Sequence, residues 1–293
     1  MPVLQRVSVS LKNILFATDF SSASERAASY AKALALNFRS SVEIAHVFDP
    51  SVVSSYLEAV LGLPLKERRS ITNDNLVQLQ QDFADSGIEV QTSMPEGHRA
   101  HAALLKLSKE HETDLIVAGT HSRWGLERLV IGSTAEDLIR NAACPVLTVG
   151  PHANRPPDGP LIFRTIVYAT DFSAEAAKAA VFALSFAQDS GAHLYFCHVA
   201  RAETTPEERK AIDAPFKAAL KNMIPESSYE WCTPETVVEH GDAAQAILEL
   251  AERVHADLIL LGARNASFWL THIEHGLTPD LLAEATCPVM TVC

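Results

Sequence analysis

The chain has 293 residues, of which 47% are hydrophobic and 20% charged, and it carries a formal net charge of −12. That length admits one large domain or two ordinary ones, and the composition is that of a folded globular protein. With 24 basic residues against 36 acidic ones and no basic block, a nucleic-acid partner, which needs its phosphates neutralised, is not expected.

The first residues, MPVLQRVSVSLKN, lack the apolar core of a signal peptide, and no apolar run reaches membrane-spanning length. A cytoplasmic protein with no membrane partner is the expectation. ILFAT then reads as a strand and SSASERAASYAKALAL as a helix, with Ser22 and Glu25 as a capping box. VEIAHVF reads as a strand, roughly 66–86 as a helix, IEVQTSM as a strand and RAHAALLKLSKEH as a helix. DLIVAG is a strand, STAEDLIRNA a helix with a second capping box (Ser133, Glu136), and CPVLTV the last strand of this series. PHANRPPDGP at 151–160 has the proline and glycine content of a linker.

The series then repeats. KNILFATDFS at 12–21 recurs as RTIVYATDFS at 164–173, DLIVAG at 114–119 as DLILLG at 257–262, and CPVLTV at 144–149 as CPVMTV at 287–292. The first pair is offset by 152 residues and the other two by 143, so the second copy is shorter in its middle. IVYAT, HLYFCHV, ETVVEHG, DLILLG and PVMTV are its strands. The expected division is 1–150, a linker at 151–163, and 164–293. Short apolar strands separated by helices imply, in each copy, a doubly wound α/β domain. It has a parallel sheet, helices on both faces and ligands at the carboxyl ends of the strands.

Between strand DLIVAG and its following helix lies GTHSRWGLERLVIGSTAED, 119–137. Small residues at such a junction bring backbone N–H groups and a helix N-terminus to an anion. No lysine follows the second glycine, so this is not the GxxxxGK[ST] loop. Arg123 and Arg128 are candidate phosphate contacts, although surface arginines are commonly just solvated.

ATDFS after the first strand, HV closing the second, the glycine loop after the fourth and CPV before the fifth together resemble the universal stress protein family, twice over. The resemblance implies tandem flavodoxin-like or Rossmann-like domains of five parallel strands each. It also implies binding of ATP or another adenine nucleotide (AMP or ADP), with or without Mg²⁺. The family's nucleotide motif maps to Gly119, Ser122, Gly132 and Ser133, with His121 and Thr134 in the same loop. Asp19 corresponds to the position that contacts the adenosine part, and Ala17 and Val47 to those that line the base pocket. A turn or cap role for Asp19 is compatible with this. Ser122 stands where the family has glycine. If a positive φ is needed there, serine costs about 1–2 kcal/mol, roughly five- to thirtyfold in affinity.

The second loop, GARNASFWLTHIEHGLTPD at 262–280, departs further. Asn265, His275 and Gly276 take the positions of Ser122, Gly132 and Ser133. Phe268 and Trp269 enter the loop, and Thr278-Pro279 reads as an N-cap and first helical residue, with one N–H fewer. Asp171, His198 and Val199 remain, so nucleotide is expected in the first half only. His272 and His275, with Glu274 or His240, fall short of a metal site, since zinc wants three or four protein ligands. Five cysteines without CxxC spacing fit reduced, buried thiols.

No GxSxG, HExxH or GxGxxG pattern supports an enzyme. The expected function is a nucleotide-binding stress-response switch with no catalytic residues, slow ATP hydrolysis being left open. The alternative is a constitutive interaction scaffold without nucleotide. Relatives pair through their last strand, so Val146–Val149 is expected to face Val289–Val292 as an intrachain pseudo-dimer. A homodimer of whole chains is a further expectation from the same resemblance.

Overall fold

The structure is a computed structural model of the chain, and it describes residues 8–51, 62–120, 132–200, 205–262 and 277–293. The first half runs β1 (Asn13–Ala17), α1 (Ser22–Phe38), β2 (Ser41–Ala45), α2 (Leu65–Ala84) and β3 (Val90–Ser93). It continues with α3 (Ala100–Glu110), β4 (Leu115–Gly119), α4 (Ser133–Asn141) and β5 (Val146–Val149). The second half runs β6 (Thr165–Ala169), α5 (Ala174–Ser190), β7 (His193–Ala200), α6 (Pro206–Met223), a 3₁₀ turn (Glu226–Glu230) and β8 (Thr233–His240). It ends with α7 (Ala243–Arg253), β9 (Leu258–Gly262), α8 (Leu277–Glu284) and β10 (Val289–Val292).

All ten strands form one sheet in the order β3-β2-β1-β4-β5-β10-β9-β6-β7-β8. Pairing is parallel within each half and antiparallel between β5 and β10. Val289 lies opposite Thr148, Met290 opposite Leu147 and Thr291 opposite Val146. The expected meeting of the last strands is therefore present, and the pseudo-twofold axis passes between Leu147 and Met290. Two buried hydroxyls reinforce the seam: Thr148 Oγ1 donates to the Val289 carbonyl at 2.9 Å, and Thr291 Oγ1 to that of Val146 at 3.4 Å.

Strand residues alternate between two cores, as the two-residue period of a pleated strand requires. One core lies under α1, α2, α5 and α6 and includes Phe16, Leu34, Phe83, Tyr168, Phe186 and Leu220. The other lies under α3, α4, α7 and α8 and includes Leu104, Leu138, Val167, Ile247 and Leu281. Both draw on both halves. Buried alanines of α1 and α5 let the two helices lie close to the sheet, and Phe38 meets Phe186 at a ring separation of 5.7 Å.

The segment after β5 is packed in place. Ala153, Leu161 and Phe163 are buried. Tyr30 donates to the Asn154 carbonyl at 2.8 Å, and the Leu161 amide to that of Ala33 at 3.1 Å. Val9, ahead of β1, donates its amide to Ser185 Oγ on α5 at 2.8 Å.

Three expected helix starts shift. Ser21, not Ser22, is the N-cap of α1, its hydroxyl accepting from the Ser24 amide. Ser22 is exposed and already helical, so it forms no box with Glu25. Gly132, not Ser133, precedes α4 and offers no side-chain cap. Helix α8 begins at Leu277, one residue before Thr278, so Pro279 falls within its first turn rather than opening it.

Candidate functional site

In a doubly wound sheet the ligand crevice opens where the strand order reverses, here between β1 and β4. The chain leaves β1 through a tightly determined turn. Thr18 still pairs with β2, its amide 2.9 Å from the Ala45 carbonyl, and its hydroxyl accepts from the Phe20 amide at 3.0 Å. Phe20 stands at φ 59°, a conformation bulky residues rarely adopt, as does Phe172 at φ 62° in the second half. Asp19 is clasped by the first turn of α1. Its Oδ1 accepts from the Ser21 amide at 3.0 Å and from the Ser24 hydroxyl, while its own amide donates to Ser24 Oγ at 3.1 Å. The turn role of Asp19 is real, and the carboxylate is fixed at the crevice mouth.

The second half repeats the turn without the clasp. Asp171 Oδ1 accepts from the Ser173 amide at 2.9 Å, but Ala176 stands where Ser24 would. Ser24 carried no sequence signal of its own; comparison of SSASERA with SAEAAKA would have found it.

Gly119 closes β4. A Cβ there would lie 2.7 Å from the Ala23 carbonyl carbon and 3.0 Å from the Ser24 nitrogen. The approach of α1 is by itself enough to require glycine there. Gly262 is in the same position against Glu175 and Ala176 of α5.

Thr120 is buried, and its amide donates to the Val149 carbonyl at 3.1 Å. Its carbonyl accepts from the Gly132 amide at 2.9 Å, so the loop's two ends are tied together at the crevice. Beyond Gly132, the Ala135 and Glu136 amides return to the Gly132 carbonyl. The Ser133 and Thr134 amides have no acceptor among the described residues, and both side chains are at least partly exposed. Two donors without an acceptor among the described residues, at a helix start whose Gly132 offers no side-chain cap, form a concentrated positive end. Glu136, in the same turn, is paired with Arg140.

Ala17 is buried and Val47 partly buried, both packed on the core beneath α3 and α4. His46, one residue ahead of Val47, turns to the other face, with Nδ1 2.9 Å from the Thr18 carbonyl and its ring 4.8 Å from Phe20. After β2, Asp49 accepts from the Ser51 hydroxyl and amide and from His98; the Ser51 hydroxyl chiefly holds its carboxyl below the usual range. His121, Ser122, Arg123 and Arg128 lie outside the described residues, as do Asn265, Phe268, Trp269, His272, Glu274, His275 and Gly276.

The cysteines are free, with Cys144 and Cys293 partly buried and the other three buried. Burial pushes the Cys197 and Cys287 thiols up to about 12, which suits packing rather than reactivity. Among the described residues no helix is long and apolar enough to cross a membrane.

The sequence model of the Universal stress protein family matches residues 10–150 and again 162–292. The chain belongs to the universal stress protein family. Universal stress protein MJ0531 of Methanocaldococcus jannaschii is 33% identical over 149 residues, covering 47% of this chain and 81% of its own. A putative universal stress protein of Staphylococcus aureus is 31% identical over 143 residues, covering 48% of this chain and 85% of its own. Each matches just under half of this chain. A solved universal stress protein from Archaeoglobus fulgidus matches the whole architecture, with a TM-score of 0.70 at 19% identity and 98% of both chains covered. Both halves are thus universal stress protein folds, fused through β5 and β10.

Proposed function

We propose that the N-terminal half, residues 1–150, binds ATP or a related adenine nucleotide, with or without Mg²⁺, and that the protein acts in the cytoplasm as a stress-response switch. The observation that carries this reading is the uncapped start of α4, held at the crevice by the Thr120–Gly132 hydrogen bond. The Ser133 and Thr134 amides and hydroxyls would take the phosphates, a use to which helix N-termini are suited. Asp19 would meet the adenosine part, Ala17 and Val47 would line the base, and His121 and Ser122 belong to the same loop. Gly119 would act by letting α1 bring Ser24 to Asp19.

The second half, residues 164–293, has Ala176 in place of Ser24 and Pro279 in the first turn of its last helix. Both changes argue for a structural role or a different ligand there. Nucleotide would favour one arrangement of the 119–134 loop, and through it one protein partner. Pairing of two whole chains as a homodimer belongs to the same reading.

Calorimetry with ATP and Mg²⁺ tests it. Wild type should give one saturable site per chain, Gly132→Asp should lose it, and Asp19→Ala should weaken it about tenfold, the loss of one or two hydrogen bonds to a charged group. Asp171→Ala should change affinity less than about twofold. Equal losses from both aspartate variants would sink the asymmetric assignment, and flat titrations of wild type at millimolar ATP would favour a constitutive scaffold.

A further inference from the structure

The C-terminal half carries two histidines whose ring protons are dictated by their neighbours. His198, near the end of β7, has Nδ1 2.8 Å from the Thr170 carbonyl oxygen. A carbonyl can only accept, so Nδ1 holds the proton and Nε2 keeps its in-plane lone pair. His240, the last residue of β8, has Nε2 2.8 Å from the Asp213 carboxylate on α6. In the neutral ring that leaves the lone pair on Nδ1, which is buried and has no hydrogen-bond partner among the described residues. A buried polar atom left in this state calls for an explanation, and a bound ion is one.

The two rings share one face of the sheet. His198 pairs with Val238 and Ala200 with His240 across the parallel β7–β8 ladder, so the histidines differ by one strand and two residues. Strand spacing and rise put their backbones about 8 Å apart. The strand order β6-β7-β8 sends Nδ1 of His198 toward β6, through Thr170, and turns Nε2 toward β8. Helix α6 roofs the pair. Asp213 meets His240, and one turn on, Phe216 packs 4.3 Å from His198, with Phe172 closing the third side at 4.8 Å. Lys217 engages the other Asp213 oxygen at 3.7 Å.

We propose that His198 Nε2 and His240 Nδ1 form a binding site for a divalent transition metal that favours imidazole, such as Zn²⁺, Co²⁺ or Ni²⁺. Histidines that bind metal donate their other ring N–H to a carboxylate or backbone carbonyl, which fixes the ring and raises its basicity. Asp213 and Thr170 stand in those two places. With metal–nitrogen bonds of about 2.1 Å, a bridging ion requires Nε2 of His198 and Nδ1 of His240 to stand within about 4 Å of each other. Imidazole disfavours Mg²⁺ and Ca²⁺, which take oxygen ligands. Among the described residues no group of three or more His, Cys, Asp or Glu side chains could hold a metal, so water completes the coordination and affinity is modest. The site is separate from the nucleotide crevice: Phe196 and Val238, which share its face, pack in the core under α5 and α6, whereas Val47 and Val199 pack in the opposite one.

Co²⁺ titrated into the full chain, followed by visible absorption and calorimetry, should show a saturable site. His198→Ala and His240→Ala should each abolish it, and exposed His152→Ala should not. Asp213→Asn, which keeps the shape but weakens the acceptor, should lower affinity about 10–100-fold. Long-range ¹H–¹⁵N spectra of the metal-free protein supply a readout that needs no variant: His198 should be the Nδ1–H tautomer and His240 the Nε2–H one. Saturable binding that survives either alanine change, its absence from wild type at millimolar Co²⁺, or the reversed tautomers would each overturn the assignment.

Discussion

Replacing Gly119 with alanine adds one methyl group to the end of β4, where the backbone itself needs no glycine. The new carbon would lie 2.7 Å and 2.8 Å from the carbonyl carbon and oxygen of Ala23 and 3.0 Å from the nitrogen of Ser24. Comfortable separations start near 3.5 Å, so the first turn of α1 must retreat by about 0.5–1 Å. Overpacking of this kind costs about 1–3 kcal/mol. The displacement is not confined to packing, because Ser24 moves with the turn and its hydroxyl is what holds Asp19. Gly119→Ala should therefore lower the urea midpoint at unchanged slope by that amount, and weaken nucleotide about tenfold. Two comparisons isolate the cause. Gly97→Ala, where an added carbon meets nothing within 4 Å, should stay within about 0.5 kcal/mol of wild type. Gly262→Ala, crowded against α5, should lose stability but leave nucleotide affinity alone. A Gly119→Ala protein with the wild-type midpoint would refute the steric argument.

The buried Thr148 hydroxyl donates across the seam, so Thr148→Val should cost about 1 kcal/mol, and Thr291→Val, with its longer bond, less. Because each core draws on both halves, both variants should still unfold in one transition by circular dichroism, and two separated transitions would contradict the shared core. Stability should also fall in alkali. Burial raises the Cys197 and Cys287 thiols to about 12, above their unfolded value near 8.5. Their contribution is whole below about pH 8.5 and fades toward pH 12, at most about 1.4 kcal/mol per pH unit per thiol. Denaturant midpoints at pH 7, 9 and 10 should decline in order, and a flat series would remove the thiols from the account.

The architecture was legible because its signals are local and doubled. ATDFS, DLIVAG and CPVLTV each recur, apolar runs mark the strands, and the CPV strands announce the seam. Helix starts were less legible, since SSAS offers three serines in four residues, and choosing Ser21 over Ser22 depends on which hydroxyl the finished turn brings to the Ser24 amide. At the crevice, Asp19 could be picked out from the repeat, but the role of Gly119 could not. A glycine required by a helix from elsewhere in the chain looks, in one dimension, like a glycine required by a ligand. His240 stood out in the sequence only beside His272 and His275; its partner Asp213 comes from α6, and only the fold brings the two together.

The seam passes between Leu147 and Met290, and its location has an evolutionary consequence. In a dimer of identical chains every change at such an axis is made twice. Here Gly150, tight against the Leu282 carbonyl, answers to Cys293, whose sulfur reaches the Ile139 carbonyl at 3.1 Å. On one polypeptide each copy can vary without its twin, so the two mouths of the shared sheet need not serve the same ligand.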